Sequence, residues 1–158
     1  MTSGIVLLLA FAIGIVTGLR SMTAPAAVAW AARLGWLHLQ GTPLSFMGST
    51  AAVAIFTLLA LGELVADQLP STPARTAPLG LGARIVCGAL TGAAVAVAGG
   101  QSLALGALLG AAGGVLGAFA GYQARTRLVK LLNVRDLVVA LAEDSVAIAA
   151  GLFIVSRF

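Results

Sequence analysis

Long apolar runs separated by short polar clusters make up most of the chain. An α-helix rises about 1.5 Å per residue and the hydrocarbon core of a bilayer is about 30 Å thick, so about twenty apolar residues suffice to cross it. Five runs come close to that length: residues 4–20, 46–62, 85–98, 103–122 and 137–155. The second continues to Glu63 and Asp67. Between the first two lies GLRSMTAP, residues 18–25. Pro25 lacks an N–H and restricts the residue before it, so a helix break is expected between Gly18 and Pro25. The Thr23 hydroxyl is placed to cap the helix that starts there. This helix, over residues 24–37, is shorter than a bilayer is thick and carries Trp30, Arg33 and Trp36 at three-residue steps. Those side chains favour the headgroup zone, which predicts a short re-entrant or interfacial helix. Pro70, Pro73 and Pro78 predict a loop over residues 68–82, and Gly99-Gly100-Gln101-Ser102 predicts a tight hairpin turn. The expected fold is therefore all-α and polytopic, with about five transmembrane helices and one short helix.

Composition narrows the class. Hydrophobic residues make up 60% of the 158, charged residues 9%, and the mean hydropathy is +1.08. A soluble domain carries about a quarter charged residues, so a soluble fold is excluded, as is a single-pass anchor. The length allows one transmembrane domain, residues 1–158, and no separate catalytic domain. A net charge of +4 and a pI near 10.7 could suit nucleic acid, but the bases sit at loops and helix ends, where they orient a protein in its partner, the lipid bilayer. No nucleic acid is expected. Cys87 is the single cysteine and His38 the single histidine, which removes internal disulfides, cysteine-based metal clusters and the paired histidines of metalloproteases. There is no phosphate-binding Walker loop and no G-x-S-x-G elbow. No cofactor is expected. The first base, Arg20, comes after the first apolar run instead of before it, so residues 1–19 read as a permanent span and not as a cleaved signal peptide.

Basic residues also set orientation. Arg125, Arg127, Lys130 and Arg135 cluster before the last run, which puts residues 123–135 in the cytoplasm. With five spans the N-terminus is cytoplasmic and the C-terminus outside. If the short helix crosses, there are six spans and both ends lie outside. Two faint echoes suggest an inverted repeat: ALGE at 60–63 against ALAE at 140–143, and Gly14-x3-Gly18 against Gly117-x3-Gly121.

Glu143 and Asp144 lie well inside the last run, where a carboxylate must face a protein interior, a wet cavity or a cation. Adjacent helical positions point about 100° apart, so only one can aim at a given axis. The pair serves an ion or substrate site, tethers the helix to Arg20 or Arg84, or marks a span boundary other than residues 137–155. Glu63 and Asp67, candidate site residues four apart on one helix face, sit where the second run meets the proline loop; Glu63, one turn deeper, could point into the same cavity as Glu143, where paired acids bind a cation or share a proton. Arg20 stands at the helix break, where freed amides and carbonyls can grip an ion. Four-residue glycine steps, Gly106-Gly110-Gly114 and Gly113-Gly117-Gly121, with Gly14 and Gly18, and Gly88 and Gly92, make smooth faces for close helix contact. The Gly106–Gly110–Gly114 face is the expected contact of a homodimer, packing against the first span being the alternative.

GLRSMTAP, GELVADQLPSTPAR and the glycine-rich hairpin together resemble the domain-of-unknown-function family 4126, small integral membrane proteins of bacteria. Gly18, Arg20, Pro25, Glu63, Asp67, Pro70, Pro73 and Arg75 carry the likeness. It implies a polytopic inner-membrane protein and supplies no activity or substrate. Three functions stay open: a small transporter or channel-like protein with an intramembrane acidic site, a structural or assembly protein without transport, and an enzyme acting on lipid headgroups. The scarcity of nucleophiles counts against the enzyme.

Overall fold

A computed structural model describes residues 1–66 and 76–158. Among the described residues there are six α-helices and no strand. They are α1 (Ser3–Leu19), α2 (Thr23–Arg33), α3 (Thr50–Ala66), α4 (Pro78–Ala98), α5 (Leu103–Leu132) and α6 (Asp136–Val155), with one 3₁₀ turn at Ser45–Gly48. α4, α5 and α6 are long and apolar enough to cross a membrane. α1 and α3, with 17 residues each, are shorter apolar helices. The chain is a multi-span helical membrane protein.

Neighbour contacts fix the direction of every helix. Gln101 donates to Ser3 Oγ at one end of the bundle, and Gly18 meets Gly117 toward the other, so α1 and α5 run parallel. Gly92 lies against Gly106 and Gly88 against Gly110, so α4 and α5 are antiparallel. Trp30 donates to Thr57 while Ser21 donates to Glu63, which makes α2 antiparallel to α3. Arg20 meets Asp144 and Ala27 meets Gly151, which makes α2 parallel to α6. All six helices therefore alternate, and α1 and α2 form a hairpin about residues 20–22. α2 has 11 residues and is about 17 Å long, shorter than the hydrocarbon core.

The glycine steps decide how the centre packs. An added Cβ at Gly88 would lie 2.5 Å from the Gly110 carbonyl oxygen, and one at Gly18 would lie 2.6 Å from the Gly117 Cα. Such contacts are backbone against backbone, so α1, α4 and α5 approach as closely as helices can, which is how association is gained where lipid offers no hydrophobic drive. The Gly106–Gly110–Gly114 face, expected to meet a second copy, is instead covered within the chain, chiefly by α4 at Gly88, Gly92 and Arg84. No part of that face is left for a dimer.

Three boundaries differ from expectation. α4 begins at Pro78, inside the expected loop, because proline suits the first helical turn, where its missing N–H is not needed. α5 continues ten residues past Tyr122 through the basic segment, whose Gln, Ala, Arg, Leu and Lys are good helix formers. It stops at Asn133, which adopts the left-handed conformation at φ 49°. α2 ends at Arg33, and residues 34–49 then fold back beside α2, Gly48 lying against Ala32, with Leu37, Leu39, Leu44 and Met47 buried. Asp67, Pro70, Pro73 and Arg75 lie outside the described residues.

Candidate functional site: a broken helix held by buried charges

A helix that stops inside a bundle leaves amides and carbonyls without intrahelical partners, and burying them unsatisfied costs several kcal/mol in hydrocarbon. Between α1 and α2 these groups are met by side chains from distant helices. Ser21 N donates to Glu63 Oε1 at 2.8 Å, Ser21 Oγ to the same oxygen at 2.6 Å, and Met22 N to Glu63 Oε2 at 2.8 Å. One carboxylate from α3 thus holds the amides ahead of α2, where the partial positive charge of a helix N-terminus favours an anion. Thr23, expected to be the cap, lies inside the first turn of α2. On the other side of the break, Arg84 Nε donates to the Gly18 carbonyl at 3.0 Å and Arg84 Nη1 to the Gly80 carbonyl at 3.0 Å. Arg84 Nη2 stands 3.8 Å from Glu63 Oε1, which joins the two holdings.

Arg20 leaves the break toward α6. Its side chain is wholly buried and its Nε and Nη2 both lie 2.5 Å from Asp144 Oδ1. Asp144, not Glu143, therefore faces the break. Glu143 points about one quarter-turn away, with Arg125 Nη1 3.8 Å from its Oε2. Arg125 also donates from Nε to Asp136 Oδ1 at 2.9 Å and pairs through Nη2 with Oδ2 at 2.5 Å. Beside Glu143 a cleft of about 230 Å³ opens between α5 and α6, lined mainly by apolar side chains such as Leu19, Leu128 and Val146. The structure thus brings Arg20 together with Asp144, and Glu63 with Arg84, at the break between Gly18 and Pro25. Glu143 sits in the neighbouring cleft with Arg125, not on the Glu63 carboxylate. Asp67 falls outside the described residues. Gly121 lines the cleft, while Gly14, Gly88, Gly92, Gly106, Gly110, Gly114 and Gly117 serve helix packing.

Sequence reasoning did not find Arg125 or the backbone amides of Ser21 and Met22. A signal for Arg125 was present. It stands nine residues before Val134 and Glu143 nine after it, and in an antiparallel helix pair such positions face each other across the turn. No comparable signal links Glu63 to Ser21, because the 34–49 segment between them has no regular register. No group of three His, Cys, Asp or Glu side chains among the described residues is placed to hold a metal ion.

A search of curated proteins and one of solved structures each return no match. A family model described as "Domain of unknown function (DUF4126)" matches residues 7–156, a stretch that contains the break and every charged group around it, and the chain belongs to that family.

Proposed function

We propose that the chain is a small transporter of the bacterial inner membrane whose working site is the broken helix with the neighbouring cleft that Glu143 lines. In this reading its single transmembrane domain crosses six times, α2 being the short crossing, with both ends outside and residues 123–135 in the cytoplasm. The observation that carries it is the convergence of Arg20, Glu63, Arg84 and Asp144, from four separate segments, on one helix break inside an apolar bundle. Interrupted helices that present freed backbone groups beside buried charges are the usual ion and substrate sites of secondary transporters. Adjacent residues on α6 divide the work: Asp144 holds Arg20 at the break, and Glu143 faces the cleft where a proton or cation can exchange.

A second reading, a structural membrane protein without transport, is favoured by a different fact: the four charged groups at the break all have partners in the chain. Double electron–electron resonance separates the two. Spin labels at Thr126 and Val138, with Cys87 replaced, report the width of the cleft mouth in liposomes. A transporter requires two distances, whose populations shift in Glu143→Gln. A single distance, the same in both proteins, rejects transport and leaves the structural role.

A further inference from the structure

We propose that residues 123–135 form a binding surface for anionic phospholipids, a role that does not depend on transport. The helix α5 has 30 residues and a length of about 45 Å, well beyond a hydrocarbon core of about 30 Å. Its start is pinned beside the start of α1 by Gln101 and Ser3, so the excess falls at the other end. About twenty residues from Leu103 reach Tyr122, which leaves residues 123–132 outside the hydrocarbon core, entering the headgroup zone at Gln123.

That end is two-faced. Gln123, Thr126, Arg127 and Lys130 share one side at helical spacing, and Leu128, Leu131 and Leu132 share the other. The leucines are bare: Leu131 is 79% exposed and Leu132 60%. Arg127, Lys130 and Arg135 are exposed and form no ion pair with a described residue, whereas Arg125, one step away, is held by Asp136. Cations without carboxylates, next to uncovered leucines just outside the hydrocarbon core, fit a partner that is anionic and apolar at once. A phospholipid with a net negative headgroup is such a partner. An acidic soluble protein would meet the bases and leave the leucines uncovered.

The test measures which lipid the full-length protein keeps. Protein in detergent micelles doped with equal phosphatidylglycerol and phosphatidylcholine is passed through gel filtration, and the lipid retained is quantified by mass spectrometry. The wild type should retain phosphatidylglycerol over phosphatidylcholine by about a hundredfold at low salt, since each of the three bases near a membrane surface contributes about a factor of five. Combined Arg127→Gln, Lys130→Gln and Arg135→Gln should bring that ratio near one. The pair Arg33→Gln and Arg157→Gln, at the opposite end, should leave it unchanged. The wild type at 1 M salt, where screening shortens to about 3 Å, should also approach one without any substitution, so the outcome does not hang on how the triple variant folds. Equal retention of the two lipids by the wild type, a ratio that survives high salt, or a ratio lost equally in the Arg33/Arg157 variant overturns the proposal.

Discussion

Replacing Asp144 by Asn removes the charge that faces Arg20 while keeping the side chain's size. Arg20 is completely buried, the Asp144 side chain is 9% exposed, and the two are 2.5 Å apart. At an effective dielectric constant of about 20 such an attraction is worth about 7 kcal/mol, most of it offset by the cost of taking both ions out of water. The substitution leaves a stranded guanidinium, and breaking a buried pair from one side costs about 3–5 kcal/mol. Glu143→Gln, one residue earlier, should cost about 1 kcal/mol or less, because Arg125 keeps its closer bonds to Asp136 and Glu143 lies 3.8 Å away. Arg20→Met with Asp144→Leu should recover most of the loss, since apolar replacement of a buried pair is often neutral. With the single variants Arg20→Met and Asp144→Leu closing the cycle, the coupling between the two sites should be about 2 kcal/mol or more. Reversible unfolding in mixed micelles, tracked by helical circular dichroism, gives each of these values. Equal losses for Asp144→Asn and Glu143→Gln, or a coupling near zero, would refute the assignment of Asp144 as the tether.

Glu63→Gln should cost about 1.5–3 kcal/mol, the range of hydrogen bonds to a charged acceptor, and should speed hydrogen exchange at the Ser21 and Met22 amides; unchanged exchange there would show that the carboxylate does not hold the break. Gly110→Ala should destabilise by about 3 kcal/mol, at the upper end for overpacking, because the new methyl meets the Gly88 backbone. Gly62→Ala, inside α3 where nothing lies within 4 Å, is the control and should match the wild type or exceed it by up to about 1 kcal/mol. Single cysteines at Gln101 and Thr126, in a chain lacking Cys87, should label from opposite sides of the membrane, and one at Ser156 should label with Gln101. Ser156 labelling with Thr126 would contradict six alternating helices.

Much of this architecture is legible in the amino-acid sequence. The helix break is a consequence of Pro25, and the turn at residues 99–102 of its two glycines. Once that turn is accepted, Gly92 and Gly106, Gly88 and Gly110, and Arg84 and Gly114 all become equidistant from Gly99, and these are the pairs that touch. The choice of the Gly106–Gly110–Gly114 face as a dimer contact fails on this point: a smooth face announces close contact, and hairpin symmetry names the covering helix. Other features leave no trace in one sequence. The rotation of α6 decides whether Glu143 or Asp144 faces Arg20, and α6 is apolar on all sides, so periodicity cannot set it. The capping of α2 by Glu63 spans 42 positions. Neither local propensity nor spacing reports a contact made across an irregular connection.

Flux across a sealed membrane tests the central claim most directly. Full-length protein in liposomes, with an internal pH-sensitive dye and an imposed proton or cation gradient, should carry a current above that of empty vesicles. Glu143→Gln, which is expected to fold with nearly wild-type stability, should abolish it. A wild-type rate indistinguishable from empty vesicles for protons and for monovalent cations, or a rate untouched in Glu143→Gln, would contradict a transport site at the broken helix.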